Sequence, residues 1–177
     1  MMPSTRRFLL KYSLYFLIAC GLTVLQNIPG LFAIGEWKPM LTAAFAFCVA
    51  LYEGEIAGSL FGVAAGLMCD TFSSYKYGFY AMMMLAACMM FGLLARTYMR
   101  RVAVNAVLFT LAGMVVIQFC GAFFSLLIWE YEGAWGYFLR RYLPMCVYTA
   151  VSAVPCYYLV RLIHSRTDPQ KSDRPID

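Results

Sequence analysis

The sequence has little charge. Only 13% of its 177 residues are charged, whereas 63% are hydrophobic and the mean hydropathy is +0.70. Soluble domains carry about 25% charged residues and about half apolar ones. A chain this apolar cannot bury its hydrophobic surface in one small core, so the composition argues against a soluble domain. It predicts an integral membrane protein.

Histidine and closely spaced cysteines are also scarce. The single histidine, His164, lies near the end of the last apolar run, and the chain contains no His-Glu-x-x-His and no P-loop. The seven cysteines form no Cys-x-x-Cys pair, so neither a zinc site nor a disulfide framework is indicated. We therefore expect no enzymatic activity, no metal site and no cofactor.

The net charge of +5 does not indicate nucleic-acid binding. A nucleic-acid-binding protein usually gathers its basic residues into a stripe on one folded face. Here the basic residues form short clusters between apolar runs, which is the distribution that membrane insertion favours. We expect the chain to contact the lipid bilayer and to bind no nucleic acid.

The apolar runs predict an all-α protein with six transmembrane helices, since about 20 helical residues cross the hydrocarbon of a bilayer. The predicted helices are 8–28, 39–52, 55–69, 78–95, 102–128 and 142–163. The second and third are short, so they either thin the bilayer or form a re-entrant hairpin. The domain is expected to cover 1–164, followed by a disordered polar tail over 165–177.

Lysine and arginine predict the orientation of these helices. With both termini in the cytoplasm, ten basic residues fall inside and four outside, as the positive-inside rule requires. The inner set is Arg6, Arg7, Lys11, Arg96, Arg100, Arg101, Arg161, Arg166, Lys171 and Arg174; the outer set is Lys38, Lys76, Arg140 and Arg141. The run that ends at Cys20 also resembles a lipoprotein signal, but the chain stays apolar beyond it, which favours a retained helix.

Glycine recurs every fourth residue in the third predicted helix, at Gly54, Gly58, Gly62 and Gly66. This spacing puts the four glycines on one slowly winding stripe. Such stripes let membrane helices approach closely. The stripe has two interpretations. The helix either lies at the centre of the bundle or against a partner protein, or it simply packs against other helices of the same chain. Packing within the chain is favoured.

A single acid, Asp70, follows the stripe. A carboxylate in the middle of the hydrocarbon is costly, so Asp70 is expected at the outer interface. It could form a local turn with the backbone of Phe72 or Ser73, or belong to a binding site.

These residues resemble a known family. The segment Gly62-Val-Ala-Ala-Gly66-Leu-Met-Cys-Asp70 and the following Gly78-Phe-Tyr-Ala81 are similar to the signature of MreD, the rod shape-determining membrane protein. Gln26 and Pro39 also fit this pattern. Met40 departs from it, because an acid often follows the proline.

The resemblance implies a non-catalytic scaffold of the bacterial cell-elongation machinery in the cytoplasmic membrane. Members of the family look like six-helix bundles similar to the substrate-binding subunits of energy-coupling-factor transporters. They bind MreC, and through it they are linked to MreB, RodA and a class B penicillin-binding protein. The implied role is to support peptidoglycan synthesis along the side wall.

The alternative is a vitamin-binding subunit of such a transporter. The Ala-x-x-x-Ala docking motif of those subunits is missing from the first helix. A vitamin pocket would also need several converging polar groups. The polar side chains within the later helices are few, and we expect them to form bonds between helices instead. They are Asn105, Thr110, Gln118, Thr149 and Ser152.

Two regions are candidates for a partner surface. The outer loop contains aromatic and arginine residues that are typical of protein interfaces, although the tryptophans also suit the membrane interface. The loop residues are Trp129, Tyr131, Trp135, Arg140 and Arg141. In the sixth helix, Pro144 and Pro155 predict a bend that leaves a groove for the single membrane helix of MreC, beside Tyr148 and Val151.

Overall fold

The structure is a computed structural model, and it describes residues 3–28, 38–72, 78–97, 102–129 and 142–167. The secondary structure in this part of the chain is helical, which confirms the all-α class. The helices are α1 (Pro3–Asn27), α2 (Leu41–Glu53), α3 (Glu55–Asp70), α4 (Phe79–Thr97), α5 (Ala103–Trp129) and α6 (Leu143–Thr167). Each corresponds to one of the six apolar runs in the sequence.

Three of the described helices are long and apolar enough to cross a membrane. They lie within α4, α5 and α6, over Phe79–Thr97, Ala103–Phe124 and Leu143–Arg166, and α2 is a shorter apolar helix. By length and composition, these helices indicate a membrane protein. Their outward side chains are large and apolar; Met82, Val116 and Val151 are more than half exposed.

Helix α2 occupies the centre of the bundle and contacts the other five helices. Its residues are buried without interruption from Leu41 to Tyr52. Small side chains such as Ala43 and Ala46 let neighbours approach α2 from every side, while Phe45 and Phe47 fill the remaining space. The less favoured alternative, with the third helix at the centre of the bundle, is therefore not what the structure shows, since α3 leaves Leu60 exposed to the outside.

Helix α3 packs its glycines against α2 and α4. A Cβ atom at Gly58 would lie 2.6 Å from Cα of Ala50 in α2, and one at Gly66 would lie 2.5 Å from Cα of Ala81 in α4. At Gly62 the nearest atom would be Sγ of Cys88, at 2.8 Å. These distances leave no room for a side chain, so the stripe is used for packing within the chain.

Gly54 does not belong to this stripe, which corrects the sequence expectation. It lies between α2 and α3 with φ of +87°, and a Cβ there would meet no atom within 4 Å. This backbone conformation favours glycine. Gly54 therefore reverses the chain in a single residue, and its N–H still donates to the carbonyl of Ala50 at the end of α2.

Helix α6 differs from expectation at both ends. Pro144 lies in its first turn, where a backbone donor has no partner within the helix to lose, so only Pro155 lies inside the helix. The helix also continues to Thr167, whereas the sequence suggested disorder from Ser165. His164 and Arg166 stand in its last turn, where positive charge is favourable. Residues 168–177 lie outside the described residues.

Candidate functional site

Asp70 caps the start of α4. Its side chain is buried at the end of α3, where Oδ2 accepts hydrogen bonds from the N–H groups of Gly78 at 3.0 Å and Ala81 at 3.2 Å. Oδ1 accepts another from the N–H of Tyr80 at 3.0 Å. The carboxylate thus satisfies donors at a helix N-terminus, where negative charge is favourable.

The contacts of Asp70 with the start of α4 were not expected from the sequence, which suggested a local turn with Phe72 or Ser73 or a binding site. The N–H of Phe72 donates to the carbonyl of Cys69 at 3.3 Å, while Ser73 lies outside the described residues. Gly78 has φ of +93°, a conformation that favours glycine. The spacing between Asp70 and Gly78 is therefore explained by the hydrogen bond from the N–H of Gly78 to the Asp70 carboxylate.

Gln26 plays the corresponding part at the start of α2. Its Oε1 accepts hydrogen bonds from the backbone N–H and the hydroxyl of Thr42, at 3.2 and 3.3 Å. The preceding Pro39 is buried, and the N–H of Met40 donates to the hydroxyl of Thr149 in α6 at 3.1 Å. The residues that resemble the MreD signature thus organise the starts of α2 and α4.

The polar residues of the later helices divide into two groups. Gln118 accepts a hydrogen bond from the hydroxyl of Tyr80 at 3.1 Å, which joins α5 to α4, and Thr149 joins α6 to the start of α2. For these two, bonding between helices is confirmed. The same expectation was wrong for Thr110 and Ser152, because their hydroxyls donate to carbonyls of their own helices. Asn105 lies in the first turn of α5.

A buried charged cluster was missed by the sequence analysis. Glu53, at the end of α2, has a side chain only 8% exposed, and its Oε1 lies 2.5 Å from Nζ of Lys11 in α1. The same oxygen accepts a hydrogen bond from Tyr15 at 3.1 Å and lies 3.2 Å from Nδ1 of His164 in α6. Tyr12 donates to Oε2 at 3.3 Å. These five residues, named here the Glu53 cluster, connect α1, α2 and α6.

The pairing inside the Glu53 cluster balances its charge. Removing Lys11 and Glu53 from water is costly, and the cost is offset by their contact and by the two tyrosine hydroxyls. Nδ1 of His164 lies 3.2 Å from Oε1 of Glu53 and 3.3 Å from Nζ of Lys11, so the imidazole contacts both members of the ion pair. Among the described residues, Nε2 of His164 has no hydrogen-bond partner.

The sequence contained no direct sign that these residues meet. His164 lies at the end of its helix, as expected, and Lys11 was counted only as a cytoplasmic charge; the burial of both against Glu53 was not foreseen. One signal was present in the sequence, because a charge inside a membrane helix usually has a partner. In a six-span arrangement, the start of the first helix and the ends of the second and sixth lie on the same side.

A second ion pair lies near the Glu53 cluster. Nη1 of Arg96, at the end of α4, donates to Oε1 of Glu55 at the start of α3, over 2.5 Å. The side chain of Arg96 is 73% exposed. This pair therefore stands at the surface, where such a contact contributes little to stability.

An open groove of about 880 Å³ begins between these two ion pairs. It is bordered by α1, the α2–α3 turn, α3 and α4. A smaller depression of about 460 Å³ adjoins it along α1 and α3, and the two share Phe16 and Ala64. We call the larger depression, together with this extension, the α1–α3 groove.

The proposed partner surface is described only in part. Val151 is 61% exposed and Tyr148 is half-buried, so α6 presents an apolar face to the outside. Trp129 is the last residue of α5, but its side chain lies outside the described part of the structure. The same holds for the loop residues Tyr131, Trp135, Arg140 and Arg141.

Comparison of the chain with models of known protein families, with curated proteins and with solved structures finds no match. Within the described ranges, no group of three or more His, Cys, Asp or Glu residues could hold a metal ion. The class that the fold defines is an all-helical membrane protein, and the resemblance to MreD therefore rests on the motif residues alone.

Proposed function

We propose that the chain is a non-catalytic membrane scaffold of the bacterial cell-elongation machinery that binds MreC. The observation that carries this proposal is the use made of the motif residues. Gln26 and Asp70 accept backbone hydrogen bonds at the starts of two helices, and Gly62 and Gly66 hold α3 against α4. Motif residues that fix the positions of helices are what a rigid scaffold needs in order to present a constant surface to a partner.

The proposal includes six membrane spans in a bacterial cytoplasmic membrane, with both termini in the cytoplasm. The Glu53 cluster supports a common side for the termini, because it joins the first part of α1 to the ends of α2 and α6. Asp70 joins the end of α3 to the start of α4, as successive antiparallel helices require. The excess of basic residues on that common side supports its cytoplasmic location.

We place the MreC contact on the exposed face of α6. Val147, Val151 and Tyr158 are 49%, 61% and 56% exposed, and their spacing puts them on one side of the helix. A single membrane helix could pack along this side. Through MreC, the scaffold would be linked indirectly to MreB, to RodA and to a class B penicillin-binding protein.

Site-specific photo-crosslinking in membranes of a rod-shaped bacterium tests this proposal. A photoreactive residue at Val151 is expected to capture MreC, whereas one at Met82 of α4 serves as the matched control, since it is 75% exposed on another helix. Absence of an MreC adduct at Val151, or equal capture at Met82, would contradict the α6 contact.

A membrane pull-down followed by mass spectrometry tests the broader role. Recovery of MreC and other elongation proteins is the expected result. Recovery of a transporter ATPase module instead, together with stoichiometric binding of a vitamin by the purified chain, would replace the scaffold with the transporter alternative.

A further inference from the structure

The α1–α3 groove has an apolar interior and a charged mouth. Phe16 of α1 and two residues of α3, Leu60 and the small Ala64, line the wider part. Glu53 and Arg96 lie at the end where α2 meets α3 and α4 ends. Such a division, with charge at one end and hydrocarbon along the rest, matches the construction of a membrane lipid.

The length of the wider part fits one leaflet of a bilayer. Glu55 at the mouth and Ala64 are nine residues apart in α3, which corresponds to about 14 Å along a helix. Half of a hydrocarbon core that is about 30 Å thick is similar. The narrower extension continues the groove past Ala64 to Phe72 and has almost entirely apolar walls.

The mouth carries both signs of charge at close range. Lys11 neutralises Glu53 inside the bundle, while Glu55 and Arg96 face each other at the rim. The guanidinium of Arg96 is largely exposed and has several N–H donors, which suits a phosphate. The carboxylate of Glu55 suits an ammonium group. A headgroup with both charges complements this rim better than a purely anionic one.

We propose that the α1–α3 groove binds one glycerophospholipid with a primary ammonium headgroup, of the phosphatidylethanolamine type. One acyl chain lies between Phe16, Leu60 and Ala64. The phosphate contacts Arg96, and the ammonium contacts Glu55. This site is separate from the α6 face and does not depend on the proposed scaffold role.

The test measures lipid retention by native mass spectrometry. The full chain is reconstituted in vesicles containing equal amounts of phosphatidylethanolamine and phosphatidylglycerol, and then extracted in a mild detergent. We expect about one retained phospholipid per chain, with phosphatidylethanolamine enriched several-fold over the vesicle composition. Retention of lipid at the vesicle ratio, preferential retention of phosphatidylglycerol, or no retention would overturn the proposal.

Two variants separate a built site from ordinary boundary lipid. Ala64→Phe fills the groove and is expected to abolish retention, whereas Ala112→Phe makes the same change on an exposed position of α5 and is expected to leave it intact. Equal retention by both variants would contradict the proposal, as would release of a co-purified single-span protein, in place of lipid, by Ala64→Phe.

A substitution at the rim keeps the proposal testable if Ala64→Phe fails to fold. Glu55→Gln removes the carboxylate at a half-buried position with little change of shape, and it is expected to reduce the enrichment of phosphatidylethanolamine to the vesicle ratio while one lipid is still retained. Unchanged enrichment in Glu55→Gln would show that the rim does not recognise the ammonium group, against the proposal.

Discussion

Glu53 and Asp70 are both buried carboxylates at the ends of helices, yet they are satisfied in different ways. Asp70 accepts from backbone N–H groups that follow it by 8, 10 and 11 residues. Glu53 is contacted by tyrosine and histidine side chains between 38 and 111 residues away. Asp70 therefore specifies a local connection, whereas Glu53 holds together helices that are remote in sequence.

The difference shows how a membrane bundle can place charge in two ways. A carboxylate that caps the next helix needs only backbone donors, which every chain supplies. A carboxylate paired with Lys11 and His164 needs the rest of the bundle to be assembled first. Loss of Asp70 should thus affect one turn, while loss of Glu53 should affect the attachment of α1 and α6 to α2.

The largest effect is expected for Glu53→Ala, which leaves Lys11 buried without its partner. Breaking a buried ion pair from one side costs about 3–5 kcal/mol. The measurement is the free energy of unfolding in mixed micelles on titration with SDS. The double variant Lys11→Met/Glu53→Ala removes both charges and should recover most of this loss. A double variant as unstable as Glu53→Ala alone would mean that the pairing is not the cause.

A slightly smaller effect is expected for Gly62→Leu. Gly62 lies in α3, which begins just after Glu53 and ends at Asp70. The new side chain would meet Cys88 and the backbone of Met84, so α3 and α4 must separate, at a cost of about 3 kcal/mol. Leu67→Ala is the control, because Leu67 is 52% exposed and its truncation should cost about 0.5 kcal/mol. Unfolding in detergent can be followed with a thiol-reactive dye that labels cysteines such as Cys88 once they are exposed.

An intermediate effect is expected for Asp70→Ala. The substitution leaves three N–H groups at the start of α4 without their acceptor and should destabilise the chain by about 2 kcal/mol, the upper range for a lost cap. Hydrogen exchange should rise mainly at Tyr80 and Ala81, with little change in α1 and α6. Thr71→Ala is the control, since its exposed hydroxyl only donates to a carbonyl of α3. Exchange that rises equally in α6 would contradict a local role for Asp70.

The smallest effect is expected for Arg96→Gln. The pair with Glu55 lies near the Glu53 cluster, but the exposed arginine gains little from it. The midpoint of unfolding should stay within the error of the measurement at moderate salt. A shift as large as that of Glu53→Ala would show that exposure does not separate the two ion pairs, and the comparison between buried and surface charge would fail.

The features that could be predicted from the sequence are those set by residues close together in the chain. The apolar runs located all six helices, because each helix needs a continuous apolar stretch, and the glycine spacing identified the packed face of α3 at Gly58, Gly62 and Gly66. Gly54 was misassigned because the same four-residue spacing continues across a turn. Its positive φ follows from the direction change between α2 and α3, which spacing does not report.

The sequence alone determined that this protein suits a membrane environment and which segments form helices. Hydropathy and glycine spacing are patterns within one segment, so they can be read without the tertiary structure. It also set the spacing of eight residues between Asp70 and Gly78, which is short enough for the Asp70 carboxylate to accept a hydrogen bond from the N–H of Gly78. Only the tertiary structure decided that α2 is central and that Lys11, Glu53 and His164 meet. The physical reason is that a buried charge must find its partner in space, and that partner comes from whichever helices the packing of small residues brings together.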